Sequence, residues 1–291
     1  MLILDSHLHL WDPALLAYDW LEGPLASRFA AEELKAARRP EGEHAAVFVQ
    51  AGSDPEQFLD EVEWVASIAE RIGVRGIVAG VRLDRGERTE RDLDAVAQHP
   101  LVVGVRHLLQ GEADGFAGSA VFRAGATALA ERGLTFDACV RGVPQLRDVA
   151  ALAADLPQLP IVLDHLGKPE IGTARMPSAP STEWADALRT LAAHGQVFCK
   201  LSGLPAEAAG DWSAAQVEPF FDVALAAFGP ERLMFGSDWP VSAMTASARD
   251  TVIDADAIGR WGDAVATWAV SRDLDVEAIM SGSAERFYGV E

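Results

Sequence analysis

The chain has 291 residues, of which 49% are hydrophobic, and its formal net charge at pH 7 is −20. This length suits a single α/β barrel with a large core. The negative charge argues against nucleic acid or an anionic membrane as a partner. No apolar stretch reaches the roughly 18 residues of a membrane span, and the N-terminus lacks the basic start of a signal peptide. We therefore expect a cytoplasmic protein.

Short apolar runs, rich in β-branched residues, recur along the chain at fairly even spacing. Their continuous hydrophobicity predicts strands that are covered on both faces. The eight runs span 2–11, 45–52, 75–84, 101–110, 134–142, 160–168, 197–204 and 232–240.

Amphipathic, alanine-rich segments lie between most of these runs and predict helices. Several end at a glycine, as helix C-termini often do, for example at Gly73, Gly133 and Gly195. Eight strands alternating with helices predict a single (β/α)8 TIM barrel over residues 1–291. A doubly wound open sheet is the alternative, but no glycine-rich phosphate loop follows the first strand.

The first run reads DSHLHLWD and carries two histidines one residue apart. Strand alternation predicts that Asp5, His7, His9 and Trp11 share one face. A buried polar group without a partner costs about 1–3 kcal/mol, so each imidazole needs one. A metal ion, a substrate carbonyl or the backbone could supply it.

Two later runs end in further candidate ligands, Asp164-His165 and Ser237-Asp238. The C-terminal ends of barrel strands meet at one rim, where active sites form. The sequence thus predicts a site of His7, His9, His165 and Asp238. Three imidazoles and one carboxylate suit one divalent ion, with zinc as the first choice and a position left for water. Asp238 would be the general base for that water.

The motifs HxH, DHLGKP, CKLSGL and FGSDWP, in this order, resemble the amidohydrolase superfamily. Within it they resemble the lactonase branch, whose members include L-fuconolactonase and 2-pyrone-4,6-dicarboxylate lactonase. The C-terminal SGSAERFYG is also similar to that family, so the resemblance covers essentially the whole chain.

The resemblance implies that a directly attacking water hydrolyses a small lactone, with a sugar-acid lactone as the expected substrate. His7, His9 and His165 would polarise the carbonyl, directly or through a metal, and Asp238 would take the water proton. The branch includes members that need no metal, and no organic cofactor is expected. Two-metal members bridge their ions with a modified lysine on the fourth strand, where this chain has Arg106 and His107, so we expect one metal at most.

Other residues at strand ends are candidate substrate contacts. Arginine binds a carboxylate as a bidentate fork. Because neighbouring residues alternate faces, one of Arg106 and His107 should enter the barrel mouth, and the family pattern favours Arg106. Ion pairs outside the barrel are the alternative for Arg82, and aromatic plugs of the barrel top are the alternative for the tryptophans. The candidates are Gln50, Arg82, Arg106, His107, Trp11 and Trp239.

Three features have structural interpretations as well as functional ones. The loop 169–183, rich in proline, serine and glycine, is a candidate lid. Lys200, in the seventh run, is either paired with a carboxylate or functional. Cys139 and Cys199 lie inside strand-like runs and are predicted to be buried free thiols.

Three other functions are compatible with a barrel of this kind: a zinc-dependent non-oxidative decarboxylase, an amide hydrolase, and a non-catalytic binding barrel. DHLGKP and KLSGL argue against the first. The poorer leaving group of an amide would make a metal and a general acid more necessary. The complete set of four rim residues argues against a barrel that only binds a ligand. The charge of −20 favours a neutral aldonolactone over a dicarboxylate as the small-molecule partner.

Overall fold

A sheet of parallel strands forms the centre of the computed structural model, which describes residues 2–246 and 251–290. Eight strands pair in the sheet in the same order as they occur in the chain. They are β1 (Leu2–Leu8), β2 (Glu43–Val49), β3 (Val74–Gly80), β4 (Val102–Leu108), β5 (Thr135–Cys139), β6 (Ile161–Leu163), β7 (Val197–Leu201) and β8 (Leu233–Phe235).

The sheet curls until its two edges meet. The backbone N–H of Asp238 donates to the carbonyl oxygen of His7 at 2.8 Å, and that of His9 donates to the carbonyl oxygen of Trp239 at 2.9 Å. Contacts between β1 and the segment after β8 thus nearly close a barrel. The predicted (β/α)8 fold is confirmed, and the open doubly wound sheet is wrong.

Helices cover the outside of the barrel and follow most of the strands. A two-stranded hairpin of β9 (Met244–Ala246) and β10 (Thr251–Ile253) follows β8. The helices are α1 (Ala31–Ala37), α2 (Phe58–Ile72), α3 (Glu87–Ala97), α4 (Ala120–Glu131), α5 (Gly142–Asp155), α6 (Thr182–Ala192), α7 (Leu204–Glu207), α8 (Ala214–Phe228), α9 (Ala257–Ser271) and α10 (Ser283–Tyr288).

The apolar core has two layers. The larger layer lies between the sheet and the surrounding helices. The smaller one fills the barrel interior, where residues such as Leu4, Val47 and Met234 pack against Phe287 and Tyr288 of α10. The C-terminal helix therefore closes the end of the barrel opposite the strand C-termini.

The strands are shorter than the apolar runs that predicted them. β1 ends at Leu8, with an irregular register between Asp5 and Leu8. The side chains of His7 and His9 lie together, as predicted. Asp5, inside β1, instead bonds Ser237. Trp11 enters the core, because it lies beyond the end of β1, where strand alternation no longer applies.

The segment 169–183 lies beside α8 in this structure. Its backbone pairs with itself between Gly172 and Pro177, and the side chain of Gln216 in α8 donates to the carbonyl oxygens of Ile171 and Gly172. No residue of this segment lines the cavity above the strand C-termini. A role of this loop as a lid stays a prediction.

Cys139 and Cys199 are free and buried, as predicted. In the part of the chain that the structure describes, no helix has both the length and the apolar character that crossing a membrane requires.

The loop after β2 is tied to α2 by a buried glutamate. Glu61 is 1% exposed, and its Oε1 accepts a hydrogen bond from the N–H of Ala51 at 3.2 Å. Burial raises the pKa of Glu61 from its ordinary value of 4.5 to about 7. Between these values the unfolded chain loses the proton while the folded chain keeps it, so this residue lowers the free energy of unfolding as pH rises.

We predict that Glu61→Gln removes this pH dependence. Relative to the variant, the wild type should lose up to about 3 kcal/mol of unfolding free energy between pH 4.5 and pH 7 and no more above it. Urea denaturation across this range measures the difference. Glu63→Gln, on an exposed position of the same helix, is the control. A difference between wild type and the Glu61→Gln protein that stays flat with pH would contradict the prediction.

Candidate active site

The structure brings together the four residues that the sequence predicted for the rim. The Asp238 Oδ1 atom lies 3.4 Å from the Nε2 of His9, 3.7 Å from that of His165 and 3.8 Å from that of His7. The Nε2 atoms of His7 and His9 are 3.1 Å apart. All four residues are at most 5% exposed. One carboxylate oxygen and three imidazole nitrogens thus converge on one point.

The backbone adopts an unusual conformation just after β6 and just after β8. His165 has φ 54° and Asp238 has φ 55°, the left-handed region that non-glycine residues seldom adopt. Such strained positions cluster at functional sites. Because both strands end before these residues, the turns aim the two side chains at β1.

Hydrogen bonds on the side that faces away from the centre of the site hold His9, His165 and Asp238 in position. The Nδ1 of His9 lies 2.8 Å from the carbonyl oxygen of Val49, which can only accept, so this Nδ1 carries a proton and Nε2 faces the centre of the site. The Nδ1 of His165 lies 2.9 Å from Ser202 Oγ, and Ser242 Oγ donates to Asp238 Oδ2 at 2.7 Å. The atoms that face the centre of the site are therefore held in position.

Lys200 lies directly below His7 and is fully buried. Its Nζ is 2.5 Å from Asp137 Oδ2, 3.0 Å from Asp164 Oδ1 and 3.0 Å from His7 Nδ1. Tyr288 of α10 donates to the same Asp137 oxygen at 2.8 Å. The structure thus shows the pairing alternative for Lys200, with two carboxylates as partners and a contact to His7, and a functional role stays a prediction.

Arg106 enters the barrel mouth, and His107 does not. The Arg106 Nη1 lies 3.3 Å from His7 Nε2 and 3.5 Å from Asp164 Oδ2, and its Nη2 donates to the carbonyl oxygen of Gln50 at 2.5 Å. Arg106 is 5% exposed, and its buried Nε has no hydrogen-bond partner among the described residues. It is a fixed cation beside the imidazole cluster.

The charges of the site keep its carboxylates ionised. Burial alone would raise the pKa of Asp238, but the imidazoles of His165 and His9 outweigh it and hold the pKa well below its usual range. Burial likewise opposes ionisation of Asp164, but Lys200 and His7 hold its pKa well below normal. Burial lowers the pKa of His165 to about 3, so its ring is neutral at pH 7.

The donor set fits a divalent metal ion. His7, His9 and Asp238 offer ligand atoms that all lie within 4.8 Å of one another. A tetrahedral zinc ion with bonds of about 2.0–2.1 Å separates its ligands by about 3.3–3.4 Å. The measured separations of 3.1–3.8 Å bracket this value. His165 forms a second such group with His7 and Asp164, and its Nε2 lies 3.7 Å from Asp238 Oδ1.

A cavity of about 500 Å³ opens above these residues. His9, His165, Asp238 and Arg106 form part of its wall. A neighbouring cavity of about 310 Å³ lies between the loops after β2, β3 and β4. The two share Trp20, Gly52, Arg106 and Leu108 as lining residues.

Three predicted substrate contacts lie at the neighbouring cavity instead of the catalytic one. Gln50, Arg82 and His107 line only the smaller cavity. Arg82 forms ion pairs with Asp84 at 2.7 Å and Glu112 at 2.8 Å, both on the segments that follow β3 and β4. The His107 Nε2 lies 3.2 Å from the same Glu112 carboxylate.

The predicted contact of Trp11 and Trp239 with substrate is not supported by their positions. Both are buried, pack against Phe29 and line neither cavity. They fit the alternative prediction of aromatic plugs, because the chain turns inward after β1 and β8. Trp20, which the sequence analysis did not single out, lines both cavities with 40% of its surface exposed.

Sequence reasoning also missed four polar residues of the catalytic cavity: Gln110, Arg141, Lys168 and Glu207. They follow β4, β5, β6 and β7 in the chain, and Glu207 is the last residue of α7. Gln110, Arg141 and Lys168 lie at the ends of predicted strand runs, a signal that could have found them. Glu207 follows the seventh run by several residues and carries no such signal.

Comparisons with known proteins agree with this geometry. The amidohydrolase family profile matches residues 4–290. An L-fucono-1,5-lactonase of Burkholderia multivorans is 33% identical over 301 aligned positions, which cover 99% of this chain and 96% of that protein. An L-fucono-1,5-lactonase of Burkholderia ambifaria is 33% identical over 247 positions, covering 83% and 81%. A crystal structure of a Burkholderia multivorans amidohydrolase with bound zinc has a TM-score of 0.82 and 33% identity, with complete coverage of both chains.

The chain belongs to the amidohydrolase family. The resemblance to its lactonase branch, which the sequence motifs predicted, is confirmed by the two lactonase relatives.

We predict that Gly203→Ala displaces His165. Gly203 has φ +71°, and an added Cβ would lie 2.3 Å from His165 Nδ1. The left-handed backbone alone should cost about 1–2 kcal/mol of unfolding free energy. A ring displaced by about 1 Å should lower kcat about a hundredfold. Thermal unfolding and steady-state kinetics measure the two effects.

Gly195→Ala is the matched control for this prediction, because no neighbouring atom lies within 4 Å of its added Cβ. It should leave kcat unchanged. Unchanged kcat in the Gly203→Ala protein as well would show that the position of His165 does not matter for the rate.

Proposed function

We propose that this protein hydrolyses the ester bond of a small lactone, with a sugar-acid lactone as the class to test first. The convergence of His7, His9 and His165 on the Asp238 carboxylate carries the proposal. This set can position water and polarise a carbonyl in a cavity of about 500 Å³, a size suited to a small molecule. The two L-fucono-1,5-lactonase relatives support the same reaction class.

Asp238 acts as the general base. Its Oδ2 accepts a hydrogen bond from Ser242, and its Oδ1 faces the histidines, where it can accept a hydrogen bond from the attacking water. The carboxylate takes one proton as the water oxygen bonds to the carbonyl carbon. The same proton then passes to the ring oxygen when the carbon–oxygen bond of the ring breaks. The product is the open hydroxy acid.

The carbonyl oxygen gains negative charge during this attack and needs fixed donors. Arg106 is buried beside His7 and offers a guanidinium that cannot lose its charge. Pre-organised donors of this kind lower the barrier most where water is excluded. Arg106 would therefore hold the substrate carbonyl, and Lys200 and Asp164 keep the His7 ring in its orientation from below.

We propose that one zinc ion is held by His7, His9, His165 and Asp238. When bound, it supplies a Lewis acid that polarises the carbonyl and lowers the pKa of water. The zinc in the Burkholderia multivorans amidohydrolase structure supports this choice. A single ion is expected, because Lys200 pairs with Asp137 and Asp164 and is thus not available as a bridging ligand.

We predict that Asp238→Asn lowers kcat on the best lactone by about 10²–10⁴-fold, because the amide cannot accept the water proton. A pH-indicator assay over aldono-, urono- and dicarboxylate lactones measures proton release above the uncatalysed background. Metal analysis of both proteins shows whether the loss arises from the missing base or from a lost ion. Asp114→Asn, at an exposed position, is the control.

Two results would overturn the proposal. The first is a folded wild-type protein that hydrolyses no lactone with or without added zinc. The second is an Asp238→Asn protein that keeps wild-type kcat.

We predict that removal of metal by a chelator abolishes most of the lactonase activity and that zinc restores it at one equivalent per chain. The reason is that neutral imidazoles are weak electrophiles without the ion. His9→Ala, which lacks one donor, should bind zinc more weakly by calorimetry while remaining folded. Full activity in protein shown to be free of metal would instead assign carbonyl polarisation to the histidines and Arg106 alone.

A further inference from the structure

A second group of polar side chains lines the catalytic cavity and is not used in the reaction described above. It comprises Gln110, Arg141, Lys168 and Glu207, and we call it the polar wall. None of these residues lines the smaller neighbouring cavity. The polar wall therefore faces whatever occupies the space above His165 and Asp238.

The polar wall is a connected chain of contacts centred on Glu207. Arg141 donates from Nη1 to Glu207 Oε2 at 2.9 Å and from Nη2 to Oε1 at 3.2 Å. Lys168 Nζ lies 3.8 Å from Glu207 Oε1 and donates to Gln110 Oε1 at 2.5 Å. The side chains of Lys168 and Glu207 are only 13% and 14% exposed. Their charges thus act on a bound ligand with little screening by solvent.

Backbone contacts fix the polar wall relative to the catalytic residues. The N–H of Lys168 donates to the carbonyl oxygen of His165 at 2.8 Å. Glu207 ends α7, whose N-terminus directly follows Ser202 and Gly203, and both of these residues contact or closely approach the His165 ring. A lactone whose carbonyl lies at the catalytic cluster would therefore present its ring substituents to these side chains.

The polar wall has two cations and one carboxylate, and the position of that carboxylate bears on the kind of substituent it accepts. Glu207 pairs with Arg141 in a bidentate arrangement and lies 3.8 Å from Lys168 Nζ, so it competes with a ligand carboxylate for both cations. A carboxylate brought beside Glu207 would also meet a like charge. Hydroxyl groups, which both donate and accept, match a wall that offers an acceptor in Glu207 and donors in Lys168 and Arg141.

We infer that Glu207 determines the substrate class: it selects neutral polyhydroxy lactones and rejects lactones that carry a second carboxylate. This inference rests on the proposed lactonase function and adds the specificity-determining residue. Glu207 does so in two ways, by accepting substrate hydroxyls and by occupying the two cations that would otherwise bind a carboxylate.

The test compares two lactones that differ at one substituent, D-galactono-1,4-lactone with a terminal hydroxyl and galactaro-1,4-lactone with a carboxylate in that region. The quantity measured is the ratio of kcat/KM for the neutral lactone to that for the carboxylated one. Wild type should favour the neutral lactone. Glu207→Gln keeps the shape but frees Arg141 and Lys168, and a charge-assisted pair with the ligand should shift the ratio toward the carboxylated lactone by about tenfold or more.

A second variant should shift the ratio in the opposite direction. Arg141→Gln leaves Glu207 less compensated, so the carboxylated lactone should become a still poorer substrate. Glu90→Gln is the matched control, because it removes an exposed pair with Arg132 on the outer helices. Thermal unfolding of each variant confirms that the proteins compared are folded.

The possible results separate this inference from the proposed function. Opposite shifts in the Glu207→Gln and Arg141→Gln proteins, with no shift in the control, support it. Wild-type lactone hydrolysis with a ratio that neither variant changes overturns the role of Glu207 and leaves the lactonase proposal standing. Absence of hydrolysis of either lactone by wild type and by every variant, together with no activity on the wider lactone panel, overturns the proposed function and this inference with it.

Discussion

A fully buried ammonium group at the centre of the barrel is the constraint on which the active site depends. Lys200 must be compensated where it lies, because breaking a buried ion pair costs about 3–5 kcal/mol. Asp137 and Asp164 supply the compensation, and Tyr288 from the C-terminal helix donates to Asp137. The helix that closes the bottom of the barrel is thereby connected, through one carboxylate and one ammonium group, to the ring of His7. Stability of the fold and geometry of the site are consequently set by the same contacts.

Above Lys200, neighbouring groups of the proposed site need opposite charge states. In the proposed mechanism Asp238 stays ionised although it is buried and accepts a proton, while His165 stays neutral and offers a lone pair. Arg106 places a permanent positive charge beside them. Further out, Glu207 neutralises Arg141 at the cavity wall. A protein with a net charge of −20 thus places both cations and carboxylates along this cavity.

Much of this was accessible from the sequence because the relevant periodicities are local. Eight continuous apolar runs predicted eight strands, and the family motifs at the ends of the first, sixth and eighth runs predicted His7, His9, His165 and Asp238. Placement of residues just beyond a strand was less accessible. Trp11 was expected beside the substrate by extending strand alternation, but β1 ends at Leu8 and the chain then turns into the core. The loop 169–183 had the composition of a lid, yet its direction depends on contacts with α8 that composition does not encode.

The sequence by itself determined the barrel class, the four convergent residues and the family, because alternation of strand and helix and the order of the motifs are properties of the chain alone. Only the tertiary structure decided what Lys200 does, which of Arg106 and His107 enters the mouth, and which side chains form the cavity wall. Those outcomes depend on distances between residues far apart in the chain, such as the 2.5 Å between Lys200 and Asp137 and the 2.9 Å between Arg141 and Glu207. Which buried charges pair with each other depends on the closed barrel, because only in the folded barrel do these side chains come into contact with water excluded.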